Sequence, residues 1–204
     1  QGAQKQMSIG CLNTSDRTVQ FELLPGESSG ALRAVCPRRL APGERGEINF
    51  IYTLPAAKPR YGTLRDVFAL RIDGRESDLA LVVHGIGVDN PAGIKKTAAP
   101  KADLSELTVK FGSVKHGAPC QRRSVTLSNT GAGELIVRAV ESRGRVGVSL
   151  AEGQRIAPGG SCRVGLTLDP SRQEYGLLTD HILLVTNDPA RPMRRLRVTA
   201  IIKD

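Results

Sequence analysis

Histidines, cysteines and acidic residues are the side chains that could carry catalysis or hold a metal, and their spacing in this chain supports neither. The three histidines are His84, His116 and His181. His84 and His181 fall in apolar stretches that read as strands, and His116 sits beside Gly117 in a turn. No G-x-S-x-G elbow presents a nucleophile to any of them. Metal sites gather His, Cys and carboxylates at short spacing, with C-x-x-C the commonest form. Cys11, Cys36, Cys120 and Cys162 show no such spacing. The chain therefore reads as a non-enzyme with no cofactor and no metal.

The cysteines have a second use. An even count fits an oxidising compartment, and four of them allow three pairings. Cys11 occupies a core position of its repeat, and Cys36 ends the stretch 31–36, which could lie across the sheet from it. Cys11–Cys36 is therefore the candidate bridge, with free buried thiols as the alternative. Cys120 and Cys162 each begin one of two neighbouring antiparallel strands. That places them at opposite ends of the pair, beyond the roughly 7 Å that a disulfide spans.

Charge supplies the remaining candidate site. Lys and Arg number 29 against 20 Asp and Glu, a net charge of +9. The densest group is Arg191, Arg194, Arg195 and Arg197, with Arg195 and Arg197 on one face by the period of a strand. Such a group could contact an anionic partner, while ordinary solubilising charge is the simpler account. A single-strand nucleic-acid binder would set aromatic platforms among its cations. With Phe 4, Tyr 3 and Trp 0, nucleic acid is not the expected partner.

The elements that hold these residues are repeated. Asn13-Thr14 recurs as Asn129-Thr130, and Ala41-Pro42-Gly43 as Ala157-Pro158-Gly159, both 116 positions on. Tyr61-Gly62 recurs as Tyr175-Gly176, and the run 79–85 aligns with 194–200. Landmarks in one order at nearly one offset mark a duplicated domain. The stretch 89–106, rich in Pro, Ala, Lys and Gly, has no apolar period and reads as a linker.

In the second copy, short alternating runs at 107–111, 123–128, 134–140, 146–150, 162–168, 181–186 and 196–202 are separated by turn signals. No helical stretch interrupts them, so the pattern predicts a seven-stranded sandwich. Val164, Leu166 and Leu168 fall on one face of their run. Pro42 and Pro158 fix the first corner of a turn, and the glycine after each takes the positive φ of the next corner. Only six polar residues precede the run 7–12 in the first copy. Either that sandwich lacks its first strand and exposes a sheet edge, or the sequence begins too late to include it.

The landmarks of the second copy are Phe111-Gly112-Ser113-Val114, Leu127-Ser128-Asn129-Thr130-Gly131, Ile156-Ala157-Pro158-Gly159-Gly160, Leu168-Asp169-Pro170 and Thr186-Asn187-Asp188-Pro189. Together they resemble the ASH/Hydin-like and major-sperm-protein-like immunoglobulin-type domains and their bacterial relatives. Among those relatives is a domain family of unknown function in Bacteroidetes envelope proteins. The first copy keeps the Asn-Thr and Ala-Pro-Gly landmarks. It lacks F-G-x-V and has Thr53-Leu54-Pro55 in place of the family's F-D-P. The resemblance implies an all-β fold and a scaffolding or interaction role, and it carries no catalytic residue over.

The resulting expectation is two tandem immunoglobulin-like β-sandwiches of about seven strands each, at 1–88 and 107–204, joined by the linker 89–106. They form a non-catalytic, extracytoplasmic module that binds a protein or envelope glycan through sheet edges, loops or the cleft between domains. A periplasmic assembly chaperone of two-sandwich type is the first alternative, and a glycan-acting or hydrolytic enzyme the second. No run approaches the ~18 apolar residues of a membrane span. Gln1 in first position fits a removed signal peptide, so the periplasm or cell surface is the expected location, with any membrane tether not visible in the sequence.

Overall fold

A computed structural model describes residues 2–204 of the 204-residue chain. The chain divides into two compact units, the first ending at Gly87 and the second running Val88–Asp204. Both are built almost wholly from strands.

The first unit has seven. They are β1 (Ala3–Leu12), β2 (Val19–Pro25), β3 (Leu32–Val35), β4 (Arg39–Leu40), β5 (Arg45–Leu54), β6 (Gly62–Ile72) and β7 (Arg75–Gly87). One sheet has the order β1-β5-β3 and the other β4-β2-β6-β7. Alternation explains the burial: along β5, Ile48, Phe50 and Tyr52 are buried while their neighbours are turned outward. Asp73 and Gly74, both with positive φ, join β6 to β7. An Asp-Gly pair suits a two-residue hairpin turn of this kind, which needs positive φ at both central residues and whose twist matches that of the strands.

The second unit has nine. They are β8 (Ala102–Leu104), β9 (Thr108–Lys115), β10 (Gln121–Asn129), β11 (Leu135–Glu141), β12 (Gly147–Val148), β13 (Arg155–Ile156), β14 (Ser161–Leu168), β15 (Gly176–Thr186) and β16 (Met193–Lys203). The sheets run β12-β14-β10-β8 and β13-β11-β15-β16-β9. Without β8 and β9, each sheet order is that of the first unit. β8 pairs antiparallel with β10 at one edge, and β9 pairs parallel with β16 at the other. Among the described residues no strand takes either place in the first unit.

The segment 89–106 is only partly a connector. It includes β8, and its residues 99–101 are strapped to the β10–β11 turn by Thr130 N–H to Lys101 O and Ala132 N–H to Ala99 O, at 2.9 and 3.0 Å. Gly131 permits this approach. A Cβ there would lie 2.3 Å from Ala99 O and 2.5 Å from Lys101 N.

The F-G-x-V landmark is a change of phase within β9. Val109 and Phe111 are buried, as is Val114, three residues after Phe111. The ladder to β16 shifts between Thr199 and Ala200, so one residue of β9 is extra, and Gly112 has φ +77° there. A bulge with glycine in the left-handed region turns both Phe111 and Val114 into the core. The cores differ accordingly. The second unit buries 22 apolar residues in one cluster, against seven in the first. At ~1.5–3 kcal/mol for each large apolar side chain buried, most of the hydrophobic stabilisation lies in the second unit.

Candidate functional site

The recurring landmarks hold the fold together. Asn13 and Asn129 are buried, and each clasps the β1 or β10 turn to the Ala-Pro-Gly loop. Asn13 Nδ2 donates to Arg17 O, Leu40 O and Ala41 O, at 2.8, 2.9 and 3.0 Å. Asn129 Nδ2 donates to Gly133 O and Ile156 O, at 2.7 and 3.0 Å. Gly43 and Gly159 have φ +72° and +73°, and their N–H groups donate to the carbonyls of the same two asparagines. The positive φ expected after Pro42 and Pro158 is present. Asp169 accepts from Ser171 N–H and Oγ, and the Ser171 hydrogen bond, aided by Arg172, holds its carboxyl below the usual carboxylate range.

The four arginines at the start of β16 do not form one patch. Leu196 and Val198 are fully buried, so alternation sends Arg194 to the inner side and Arg195 and Arg197 to the outer. Arg194 donates to Ala102 O and lies 3.6 Å from the Asp188 carboxylate, with 13% of its side chain exposed. It is a structural residue. Arg191 is exposed on the preceding loop, and its backbone N–H donates to Asp188.

Arg195 and Arg197 belong to a broader cationic face. Lys203 continues their row, and β9 adds Lys110 and Lys115, which alternate with its buried residues. His181 of β15 stands opposite Arg197 in the ladder and is exposed. Among the described residues no carboxylate pairs with these five cations, and the outward positions of β9, β15 and β16 hold no acid. A shallow groove of about 330 Å³ runs along the face, lined by Thr108, Lys110, Leu177, Arg197, Thr199 and Ile201. Leu177 and Ile201 give it an apolar floor.

The cysteines are free thiols. Cys11 and Cys36 pack against the same core, but no bridge joins them. Cys36 lies beyond the end of β3, in the connection to β4, and β1 has β5 as its neighbour in the sheet, so Cys36 does not sit on a strand beside Cys11. Leu127 pairs with Cys162, while Cys120 precedes Gln121 at the other end of the same ladder, so those two are also far apart. Burial pushes the Cys162 thiol up.

Two buried carboxylates stand at equivalent places. Asp66 accepts from Tyr52 Oη at 2.9 Å and from Ser29 N and Oγ at 2.7 and 2.8 Å. Burial, and then that hydrogen bond, raise the Tyr52 phenol far above its ordinary range. In the second unit Leu168 replaces the tyrosine. Asp180 there accepts from His181 N–H at 2.7 Å, and its Oδ2 has no partner. Among the described residues no three His, Cys, Asp or Glu side chains gather as a metal-binding group. A further concavity of about 650 Å³ at the end of the second unit is lined by Arg143, Arg145, Arg172 and Tyr175, with Asp169 paired to Arg172 beside it.

Residues 100–200 match the family described as HYDIN/CFA65/VesB-like, Ig-like domain. The second unit belongs to this HYDIN/CFA65/VesB-like immunoglobulin family. A protein of unknown function from Porphyromonas gingivalis W83 has the same fold over both units. The likeness has a TM-score of 0.67 at 21% identity and covers 97% of this chain and 91% of that one. An ASH/PapD-like domain of human CEP192 matches at TM-score 0.41 and 13% identity, over 55% of this chain and 92% of its own. The Caenorhabditis elegans MSP family member WR4 matches at 0.36 and 13%, over 50% and 97%. No curated protein matches the chain. Among the described residues no helix is long and apolar enough to cross a membrane. In this HYDIN-like unit, the residues that carry the resemblance are turns, clasps and core, and the cationic face lies outside them.

Proposed function

We propose that the protein is a non-catalytic interaction module of the cell envelope or extracellular space, and that its second unit binds an anionic partner, a protein or an envelope glycan, on the outer face of β9, β16 and β15. The observation that carries this reading is the row Arg195, Arg197 and Lys203 beside Lys110 and Lys115. Among the described residues these five cations have no carboxylate partner, and two of them, Lys110 and Arg197, line the groove with the apolar floor. Unpaired like charges on a rigid face raise the local potential and steer anions to it. The extracytoplasmic placement draws support from the resemblance of the landmarks to Bacteroidetes envelope domains.

The test is a crosslinking pulldown from an envelope fraction, with the whole chain as bait beside an Arg195→Ala/Arg197→Ala variant. Arg194 is left intact because it holds β8. The expected result is a reproducible partner whose recovery falls at least tenfold in the variant and in high salt, where screening shortens the reach of charge. Equal recovery by both baits would remove the cationic face from the function. Stoichiometric recovery of a single pilin-like subunit would favour the chaperone alternative instead.

A further inference from the structure

Three connections of the second unit meet at one end of its sandwich and border the concavity of about 650 Å³. The β11–β12 connection supplies Arg143 and Arg145, the β14–β15 connection supplies Asp169, Arg172 and Tyr175, and Cys120 comes from the β9–β10 connection. Binding residues concentrate on such loops when a rigid scaffold positions them.

The walls are tied to each other. Gln173 Nε2 donates to Arg145 O and to Asp169 O, both at 3.2 Å, so one side chain links two of the connections. The chain turns between Arg143 and Arg145 at Gly144, with φ +80°, and both arginines reach the concavity. The charge of Asp169 is engaged by Ser171 and by Arg172, 3.3 Å away. Glu174 is the other carboxylate on the wall. Among the described residues neither Arg143 nor Arg145 has a carboxylate partner.

The concavity also holds an open ring. Tyr175 is 62% exposed, whereas the other Phe and Tyr side chains among the described residues are buried or half-buried. The ring is braced by His116, with centroids 4.9 Å apart, and His116 N–H donates to Lys203 O at 2.7 Å. A tyrosine held in this way offers a large contact area at low entropic cost.

An open ring beside unpaired guanidinium groups complements an acidic sugar. The C–H groups on one face of a pyranose pack on the ring, and an arginine fork takes a carboxylate through two parallel hydrogen bonds. Glu174 offers acceptors to sugar hydroxyls. An acidic peptide would use the arginines but would have no need of the ring. The site is also continuous with the cationic face: Leu177 lines both the concavity and the groove, and Lys203 belongs to the row of Arg195 and Arg197.

We infer that the concavity is a subsite for an acidic sugar, with its ring on Tyr175 and its carboxylate on Arg143 and Arg145, and that the uronate-bearing polysaccharide to which it belongs continues past Leu177 along the cationic groove. The inference rests on the reading of that face as an anion-binding surface, and it narrows the partner to a glycan.

The probes are a trimer and a decamer of galacturonate, titrated into the whole chain and followed by calorimetry and by backbone amide shifts. Cello-oligomers of the same lengths and polyglutamate serve as the neutral and the non-sugar comparisons. The trimer is expected to bind with shifts at 143–145 and 173–178. Tyr175→Ala and Arg143→Ala/Arg145→Ala should each weaken it at least tenfold, while Tyr175→Phe, which keeps the ring, should bind as wild type does. Unchanged far-ultraviolet circular dichroism would show that the variants are folded. The decamer should bind at least tenfold more tightly, add shifts at 197–201 and lose that gain in Arg195→Ala/Arg197→Ala. No trimer binding up to about millimolar concentration, binding indifferent to Tyr175→Ala, or equal binding of the cello-oligomer would overturn the inference. Polyglutamate bound as tightly as the decamer would make charge alone the determinant and overturn the glycan assignment. A decamer no tighter than the trimer would overturn the continuous path. Failure of the trimer leaves the Arg195/Arg197 pulldown unaffected, and a failed pulldown leaves trimer binding unaffected, so the two readings fail separately.

Discussion

Replacing Asp188 by alanine is expected to destabilise the second unit by about 3–5 kcal/mol, the range for removing one member of a buried ion pair. The carboxylate is 2% exposed. It accepts from Ala102 N–H at 3.1 Å, from Ala190 N–H at 2.9 Å and from Arg191 N–H at 3.1 Å. It also lies 3.6 Å from the Arg194 guanidinium. Its loss strands a mostly buried cation and releases β8 from the end of the sandwich. Asp188→Asn keeps the shape and one acceptor, so its cost should be smaller. Urea unfolding monitored on the second unit checks this. A cost below about 1 kcal/mol for Asp188→Ala would show that the Asn-Asp-Pro turn does not hold the strands as described. Typical domain stabilities of about 5–15 kcal/mol make the expected loss visible as a large shift in midpoint.

Asn129→Ala comes next, at about 2–4 kcal/mol. The side chain makes two donor bonds, to Gly133 O and Ile156 O, and its Oδ1 accepts from Gly131 and Lys101 N–H, at 3.0 and 3.3 Å. Each hydrogen bond contributes about 0.5–1.5 kcal/mol net, and a buried group left unpaired costs more. Asn129→Asp is the sharper test. It conserves size, but it sets a carboxylate oxygen against two carbonyl oxygens where an amide had donated to both. The aspartate should therefore be no better tolerated than alanine. The same order is expected at Asn13 in the first unit. An aspartate variant as stable as wild type would contradict the assigned orientation of the amide.

Much of this arrangement is legible in the chain itself. The offset shared by the Asn-Thr and Ala-Pro-Gly landmarks identifies the duplication because both halves need the same clasp. Alternation along 162–168 places Val164, Leu166 and Leu168 inward, and all three are fully buried. Other features are hidden for physical reasons. The alternation of β9 breaks after Phe111 because of the bulge at Gly112, so pattern reading ends the strand there while the ladder runs on to Lys115. β8 is three residues long and borrows its stability from β10, Asp188 and Arg194, so Ala102–Leu104 looks like linker. The role of Arg194 follows from a partner, Ala102 O, that lies 92 positions away. The bridge expected between Cys11 and Cys36 is absent because Cys36 falls in the β3–β4 connection, and where a strand ends is not written in the spacing of the cysteines. One signal was readable and unused: Asp73-Gly74 between two alternating runs marks the β6–β7 hairpin, which replaces the longer Asn-Asp-Pro connection of the second unit.

The account turns on the parallel β9–β16 pairing of the second unit, which among the described residues has no counterpart on β7. Residue-resolved amide exchange on the whole chain tests it most directly. Along β7 the account predicts an alternating pattern. Amides of Leu81 and Val83 face β6 and should exchange at least ~100-fold more slowly than those of Ala80, Val82 and His84, which face outward. Along β16, from Arg197 onward, both sets are paired and every amide should be slow. Continuous protection along β7, equal to that along β16, would mean that its edge is already covered, and would contradict the account.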